Sequence, residues 1–200
     1  MKEKIINKSV EMFLTLGFKS VTMDDIASEM GISKKTIYVH FPNKNKLVES
    51  VTMHMFDTIS CGIDGICALK KNPIEEIYDI KNLVRDHLKG EKSSPQHQLQ
   101  KYYPKIFESL KEKQFKVMNE CVIDNLSRGI KAGLYRSNLN IDFIARIYFN
   151  NMVGLKDPKL FPLKHFSMNE LMDNFIEYHI RGICTEKGNK TLNQVMNNQL

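Results

Sequence analysis

The chain has 200 residues, 42% of them hydrophobic and 26% charged, which is enough apolar material for a packed core and excludes a disordered chain. Its 29 Lys and Arg against 23 Asp and Glu leave a net charge of +6, which favours polyanionic partners without naming one. No run approaches the ~18 consecutive apolar residues of a membrane span, and the opening Met1-Lys2-Glu3-Lys4-Ile5-Ile6 lacks the features of a signal peptide, so a soluble cytoplasmic protein with no membrane partner is expected.

Apolar residues recur at helical spacing almost throughout, and no segment sustains the period-two alternation of a half-buried strand, so the spacing predicts an all-α fold. Ile6, Val10, Phe13 and Leu14 mark one face of a first helix, which Gly17 ends by adopting a left-handed conformation. Thr22 caps a short second helix bearing Ile26, Ala27 and Met30, with Asp24 and Asp25 at its positive end. Gly31 supplies a tight turn, and Ser33 caps a third helix that must stop before Pro42.

Asn43 then caps a long helix with Val48, Val51, Met55, Ile59, Ile63 and Ile66 in a stripe. Asn72-Pro73-Ile74-Glu75 starts the next, carrying Ile77, Ile80, Val84 and Leu88, with Gly90 as its stop. Ser94-Pro95 and Pro104 start two more, the second running through Met118, Val122, Leu126 and Ile130 to Gly133. Ile144, Ala145, Tyr148 and Met152 define another helix, and Ser167 with Glu170 forms a capping box for one carrying Leu171, Phe175 and Gly182. After Gly188 the chain is rich in Asn and is expected to be a mobile polar tail, with Leu192, Val195 and Met196 able to form one amphipathic turn.

The informative stretch is the pair of short capped helices from Thr22 to His40. A capped helix, a glycine turn and a second capped helix make the layout of a helix-turn-helix, whose second helix enters the major groove. The window Ser33 to Lys46 holds Lys34, Lys35, Lys44 and Lys46 and no acid, a local charge of +4. Thr36, Tyr38 and His40 lie among these lysines with polar tips suited to phosphate oxygens, while Ile37 and Phe41 face inward. The amides that open the helix after Asn43 add an anion-binding end, beside which Lys44 sits.

From Ile5 to Leu47 the chain resembles the DNA-binding domain of the TetR family of transcription regulators. The matching residues are Phe13, Gly17-Phe18, Val21-Thr22-Met23-Asp24-Asp25-Ile26-Ala27, Gly31-Ile32-Ser33-Lys34, Thr36-Ile37-Tyr38, His40-Phe41, Lys44 and Leu47. The resemblance implies that Thr22, Tyr38, His40 and Lys44 hold phosphates and that Lys34, Lys35 and Thr36 reach base edges, with Ser33 and Lys46 bordering the same DNA-binding surface. The family often has a small residue where this chain has Lys35, which is placed to donate either to guanine or to a phosphate.

It further implies three parts: a three-helix DNA-binding domain over 1–47, a larger helical ligand-binding and dimerisation domain over 48–188, and a tail over 189–200. A homodimer is implied through helices near 141–155 and 168–184, with Ala145, Gly154 and Gly182 small enough for close helix approach. Such a dimer would meet a palindromic double-stranded DNA operator and release it when a small ligand binds, more often as a repressor than an activator.

Tyr102, Tyr103, Phe107, Met118, Tyr148, Phe149 and Met152 are either lining for a hydrophobic ligand or ordinary core, since stripes at helical spacing are core by default. Cys61 and Cys67 lie six apart and do not share a helix face, so no metal site is expected near His54, and the four scattered cysteines suggest no disulfide framework. No glycine-rich phosphate loop, H-E-x-x-H helix, G-x-S-x-G elbow or dinucleotide fingerprint is present, and neither catalysis nor a cofactor is expected. The competing reading is a helical carrier of hydrophobic small molecules without specific DNA recognition.

Overall fold

The structure is a computed structural model that describes residues 1–88, 95–162 and 164–198. Among them lie ten helices: α1 Lys2–Leu16, α2 Met23–Glu29, α3 Lys34–His40, α4 Lys44–Ala68, α5 Pro73–His87, α6 Pro95–Tyr102, α7 Pro104–Lys131, α8 Ile141–Gly154, α9 Met168–Ile183 and α10 Glu186–Asn197. The described residues include no strand, and their one extended pairing is an isolated antiparallel bridge between Tyr135 and Cys184. The expected stop at Gly90 and cap at Ser94 lie outside the described residues.

Two compact units emerge, Met1–Ser60 with Leu88–Gln114, and Cys61–His87 with Phe115–Leu200. Helices α4 and α7 therefore contribute residues to both. A division between residues 47 and 48 falls inside α4, where Leu47, Val48 and Val51 are all fully buried in the first unit's core.

In the first unit, α1, α2, α3 and the start of α4 enclose Phe13, Phe18, Val21, Ile26, Ile37, Phe41 and Leu47, joined by Leu99 of α6 and Phe107 and Leu110 of α7. The buried face of α1 is centred one residue earlier than its hydrophobic pattern suggests. Phe13 and Leu14 are buried as expected, and Ile5, Ser9 and Met12 are buried with them, whereas Ile6 and Val10 are only partly covered. A serine can occupy that face because its hydroxyl donates to the Ile5 carbonyl at 2.7 Å, leaving no polar group unpaired. Gly17 ends α1 with φ of 85°, and a Cβ there would stand 2.4 Å from the Gln98 side chain, so conformation and space both call for glycine.

In the second unit, α5, the C-terminal half of α7, α9 and α10 surround Ile74, Leu126, Tyr135, Ile176, Ile180 and Leu192. Glu76 is fully buried among them, so the favourable dipole at the start of α5 does not account for it. Its Oε1 accepts from Asn125 Nδ2 at 2.9 Å and from the Arg128 guanidinium, while Asn125 Oδ1 accepts from the Tyr135 hydroxyl at 3.1 Å. Charge pairing and hydrogen bonds thus make an acid tolerable inside the helices.

The chain after Gly188 is helix where a polar tail is expected. Thr185 caps α10 by accepting from the Gly188 N–H at 3.1 Å, and Leu192 and Val195 are buried. The Asn-rich side faces out, so composition averaged over the segment hides a two-residue apolar stripe that docks in the second core.

Candidate nucleic-acid interface

Local capping builds the α2–turn–α3 unit. The Thr22 hydroxyl accepts the Asp25 N–H at 3.1 Å, and the Asp25 carboxylate accepts the Thr22 N–H at 2.8 Å, a reciprocal capping box. The Thr22 N–H and hydroxyl, both donating to the Asp25 carboxylate, hold it below the usual carboxylate range. Gly31 takes φ of 62° and lets the Ile32 N–H reach the Ala27 carbonyl at 3.0 Å, closing the turn. Ser33 then caps α3 by accepting the Thr36 N–H at 3.1 Å.

Ile37 and Phe41, four residues apart, are 0% and 2% exposed and pin α3 to the core. The opposite face is thereby turned outward. Ser33, Lys34, Lys35, Tyr38 and Val39 are exposed, and Thr36 and His40 are half-buried. This face, with Lys44 and Lys46 at the start of α4, brings together in one unit the residues that the sequence singles out for DNA.

The electrostatics are more restrained than a count of lysines suggests. Lys34 Nζ pairs with Asp24 at 2.6 Å and lies 5.9 Å from the centre of the Tyr38 ring. Lys46 Nζ pairs with Glu49 at 2.7 Å. Lys44 Nζ donates to the Lys19 carbonyl at 3.3 Å, and burial lowers its affinity for a proton while Asp25 opposes that shift. Lys35 has no ion pair among the described residues. The local +4 of the Ser33–Lys46 window is thus partly neutralised by Asp24, which the packing of α2 on α3 brings in, and by Glu49, one turn beyond Lys46 on α4.

Three hydroxyls are also engaged. Thr22 Oγ1 donates to the Asp25 carboxylate at 2.8 Å, so its proton is committed to the cap. Ser33 and Thr36 share one hydrogen bond at 2.8 Å, which leaves one of their two hydroxyl protons for an outside acceptor. Asn43 accepts the Lys46 N–H at 2.9 Å and so caps the amide end of α4.

Val39 was not among the sequence candidates, yet it is 75% exposed on the middle of α3. Its helical phase, two residues from both Ile37 and Phe41, is the signal that places it on the outer face. An apolar residue there is suited to the methyl group of thymine.

The aromatic set is divided between the units. Tyr103 and Phe107 belong to the first core, and Tyr102 is 39% exposed with Lys19 and Lys101 ammonium groups 5.3 and 5.4 Å from its ring. Met118, Tyr148, Phe149 and Met152 lie in the second unit. There Tyr148 is 4.9 Å from the His179 ring and 5.6 Å from Phe175, while Phe149 meets Phe115 at 5.1 Å. Burial depresses the His179 pKa to about 4, so the ring is neutral at physiological pH. Of the small residues expected at a helix–helix contact, Ala145 is only 1% exposed and already packs within its own chain. Gly154 and Gly182 instead border open space.

Residues 5–51 match the model of the bacterial regulatory proteins, tetR family. Along almost its whole length the chain is 26% identical to the uncharacterised HTH-type transcriptional regulator YvaF of Bacillus subtilis (strain 168), over 94% of this chain and 97% of that protein. Over 60 residues it is 35% identical to the biofilm operon icaADBC negative transcriptional regulator IcaR of Staphylococcus aureus (strain Newman), covering 30% of this chain and 32% of that one. In fold it resembles a TetR-family transcriptional regulator from Agrobacterium tumefaciens, with a TM-score of 0.72 at 16% identity over 92% of this chain and 97% of that chain. The capped helix pair with its basic outer face thus lies inside the segment that matches the bacterial regulatory proteins, tetR family, and the helical remainder is similar in length and fold to regulators of that family.

Proposed function

We propose that the protein is a one-component repressor that binds a palindromic operator as a homodimer in the cytoplasm and leaves it when a small ligand enters its second unit. The observation that carries the DNA-binding half is the outer face of α3. Ile37 and Phe41 are sealed in the core, so Lys34, Lys35, Thr36, Tyr38, Val39 and His40 are held on a rigid helix. In this reading Lys35, Thr36 and Val39 read base edges, Ser33, Tyr38, His40, Lys44 and Lys46 grip the backbone, and Thr22 joins them on turning its hydroxyl from Asp25 to a phosphate. Lys34 joins either group on exchanging Asp24 for DNA.

Support for a dimer comes from α8 and α9. Phe143 and Ile147, one turn apart on α8, are 57% and 37% exposed, and Tyr178 of α9 is 78% exposed. Apolar rings left in water on two helices favour a second copy covering them. Support for a ligand comes from Glu76 Oε2, Asn82 Oδ1 and Asn119 Oδ1, buried acceptors on α5 and α7 that lack a hydrogen-bond partner among the described residues. A ligand with an apolar body and a donor group suits them better than a pure hydrocarbon. Met118, Tyr148, Phe149 and Met152 are the apolar contacts that the second unit offers such a ligand.

The test is fluorescence anisotropy across a salt series, with DNA from upstream of the protein's own gene and a scrambled control. Tight binding to the native fragment alone, with affinity falling steeply with salt, supports the proposal. Equal and weak binding to both fragments favours a small-molecule carrier without DNA specificity.

A further inference from the structure

We propose that Cys67 and Cys121 form a thiol–disulfide exchange site, a dithiol that small disulfides oxidise to a reversible covalent link between α4 and α7. The pair brings together the last turn of α4 and the middle of α7, 54 residues apart in the chain, with the two Sγ atoms 3.2 Å from each other. Both thiols are free and half-buried.

Their proximity is imposed from one side by a series of polar contacts. Lys70 Nζ pairs with Asp124 at 3.2 Å, Arg128 Nη1 donates to the Lys71 carbonyl at 3.2 Å, and Asn125 Nδ2 donates to the Pro73 carbonyl at 2.9 Å. Residues 67–73 are thereby laid along residues 121–128, which keeps the backbones that carry the two cysteines side by side. Holding two reacting groups in this way replaces a bimolecular encounter by an intramolecular one.

The environment also assigns an order to the two sulfurs. Burial pushes both thiols above the ordinary range, Cys121 the more strongly, while the hydrogen bond to Cys121 and the Arg128 guanidinium partly offset the rise at Cys67. Cys67 is therefore the entry thiol. Its thiolate attacks one sulfur of a small disulfide, forming a mixed disulfide and expelling one small thiolate. The Cys121 thiolate then attacks Sγ of Cys67 and expels the second. The two thiol protons end on the two leaving thiolates, so the protein loses two electrons and two protons and the small disulfide becomes two thiols. With both thiols mostly protonated near neutrality, exchange is slow there and quickens as pH rises. Because α4 is one uninterrupted helix from Lys44 to Ala68, the link anchors the far end of the helix that begins next to α3.

The test uses the full-length chain carrying Cys61→Ser, fully reduced and then incubated with oxidised glutathione from pH 7 to pH 9. Thiols are counted under denaturing conditions, and peptides are mapped without reductant. Two of the three remaining thiols should disappear, a Cys67–Cys121 linked peptide should form without retained glutathione, and the rate should rise with pH. Adding Cys121→Ser should instead trap a glutathione adduct on Cys67. The unsubstituted chain reports on the reagent, since its exposed Cys61 must take up glutathione. Retention of all three thiols while Cys61 reacts in that control overturns the proposal, as does a lasting adduct on Cys67 with Cys121 still free.

Discussion

Replacing Asp24 by Asn should tighten binding to DNA, although the change removes a residue that touches no base. In the free protein the Asp24 carboxylate holds Lys34 Nζ at 2.6 Å, with both side chains about half exposed, at 48% and 63%. An exposed pair of this kind is worth about 0.2–1 kcal/mol, and it must open before Lys34 can donate to a phosphate or a base. Two protomers on one operator would gain about 0.4–2 kcal/mol together, an increase in affinity of roughly 2-fold to 30-fold. Removing a negative charge from a surface that faces phosphates acts in the same direction, although salt screens it. The assay is anisotropy with an operator fragment between 50 and 300 mM salt, on wild type, Asp24→Asn and Lys34→Ala. If wild-type Lys34 already releases Asp24 on binding, the salt slopes of wild type and Asp24→Asn should agree while the curves are offset. Loss of affinity in Asp24→Asn with an unchanged melting temperature would refute the reasoning, as would no effect of Lys34→Ala.

Lys35→Ala should reduce the magnitude of the salt slope by about 0.9 per protomer if Lys35 neutralises a phosphate, and should leave the slope intact but relax one base position by about 1–3 kcal/mol if it reads guanine. A salt series on operators with single-base changes separates the two. Gly188→Ala should destabilise the chain by about 1–3 kcal/mol, because the new Cβ would stand 2.1 Å from the Leu134 carbonyl oxygen, and chemical denaturation measures the loss. A change under a few tenths would mean that α10 undocks without penalty. His179 predicts an acid sensitivity. Its folded pKa of about 4 lies below the ordinary histidine value of 6.5, so the stability tied to the neutral ring is complete above the unfolded pKa and is lost as pH falls toward 4. The full difference is about 3 kcal/mol, and denaturation of wild type and His179→Leu at pH 7.5 and pH 4.5 should show the variant losing less.

Much of this protein was legible in its sequence because the interactions responsible are local. The caps at Thr22, Ser33, Asn140, Ser167 and Thr185 join residues three apart, and Gly17, Gly31 and Gly133 adopt the positive φ that other residues disfavour. Of these, Asn140 and Thr185 had no place in the sequence reading, although both carry the same signature. The outward face of α3 followed from the period of Ile37 and Phe41, and the same period would have included Val39.

What tertiary structure alone decided are the pairings between residues far apart in the chain, for which one sequence carries no local signal. Asp24 of α2 tames Lys34 of α3. Arg128 and Asn125 make a buried Glu76 tolerable, and polar contacts near the start of α5 bring Cys67 against Cys121. Helical periodicity tells which face of each helix turns inward; it does not tell which other helix that face will meet, because apolar burial is non-directional and many partners satisfy it. The charged and sulfur-bearing groups that come together at those meetings are therefore visible only once the helices are packed.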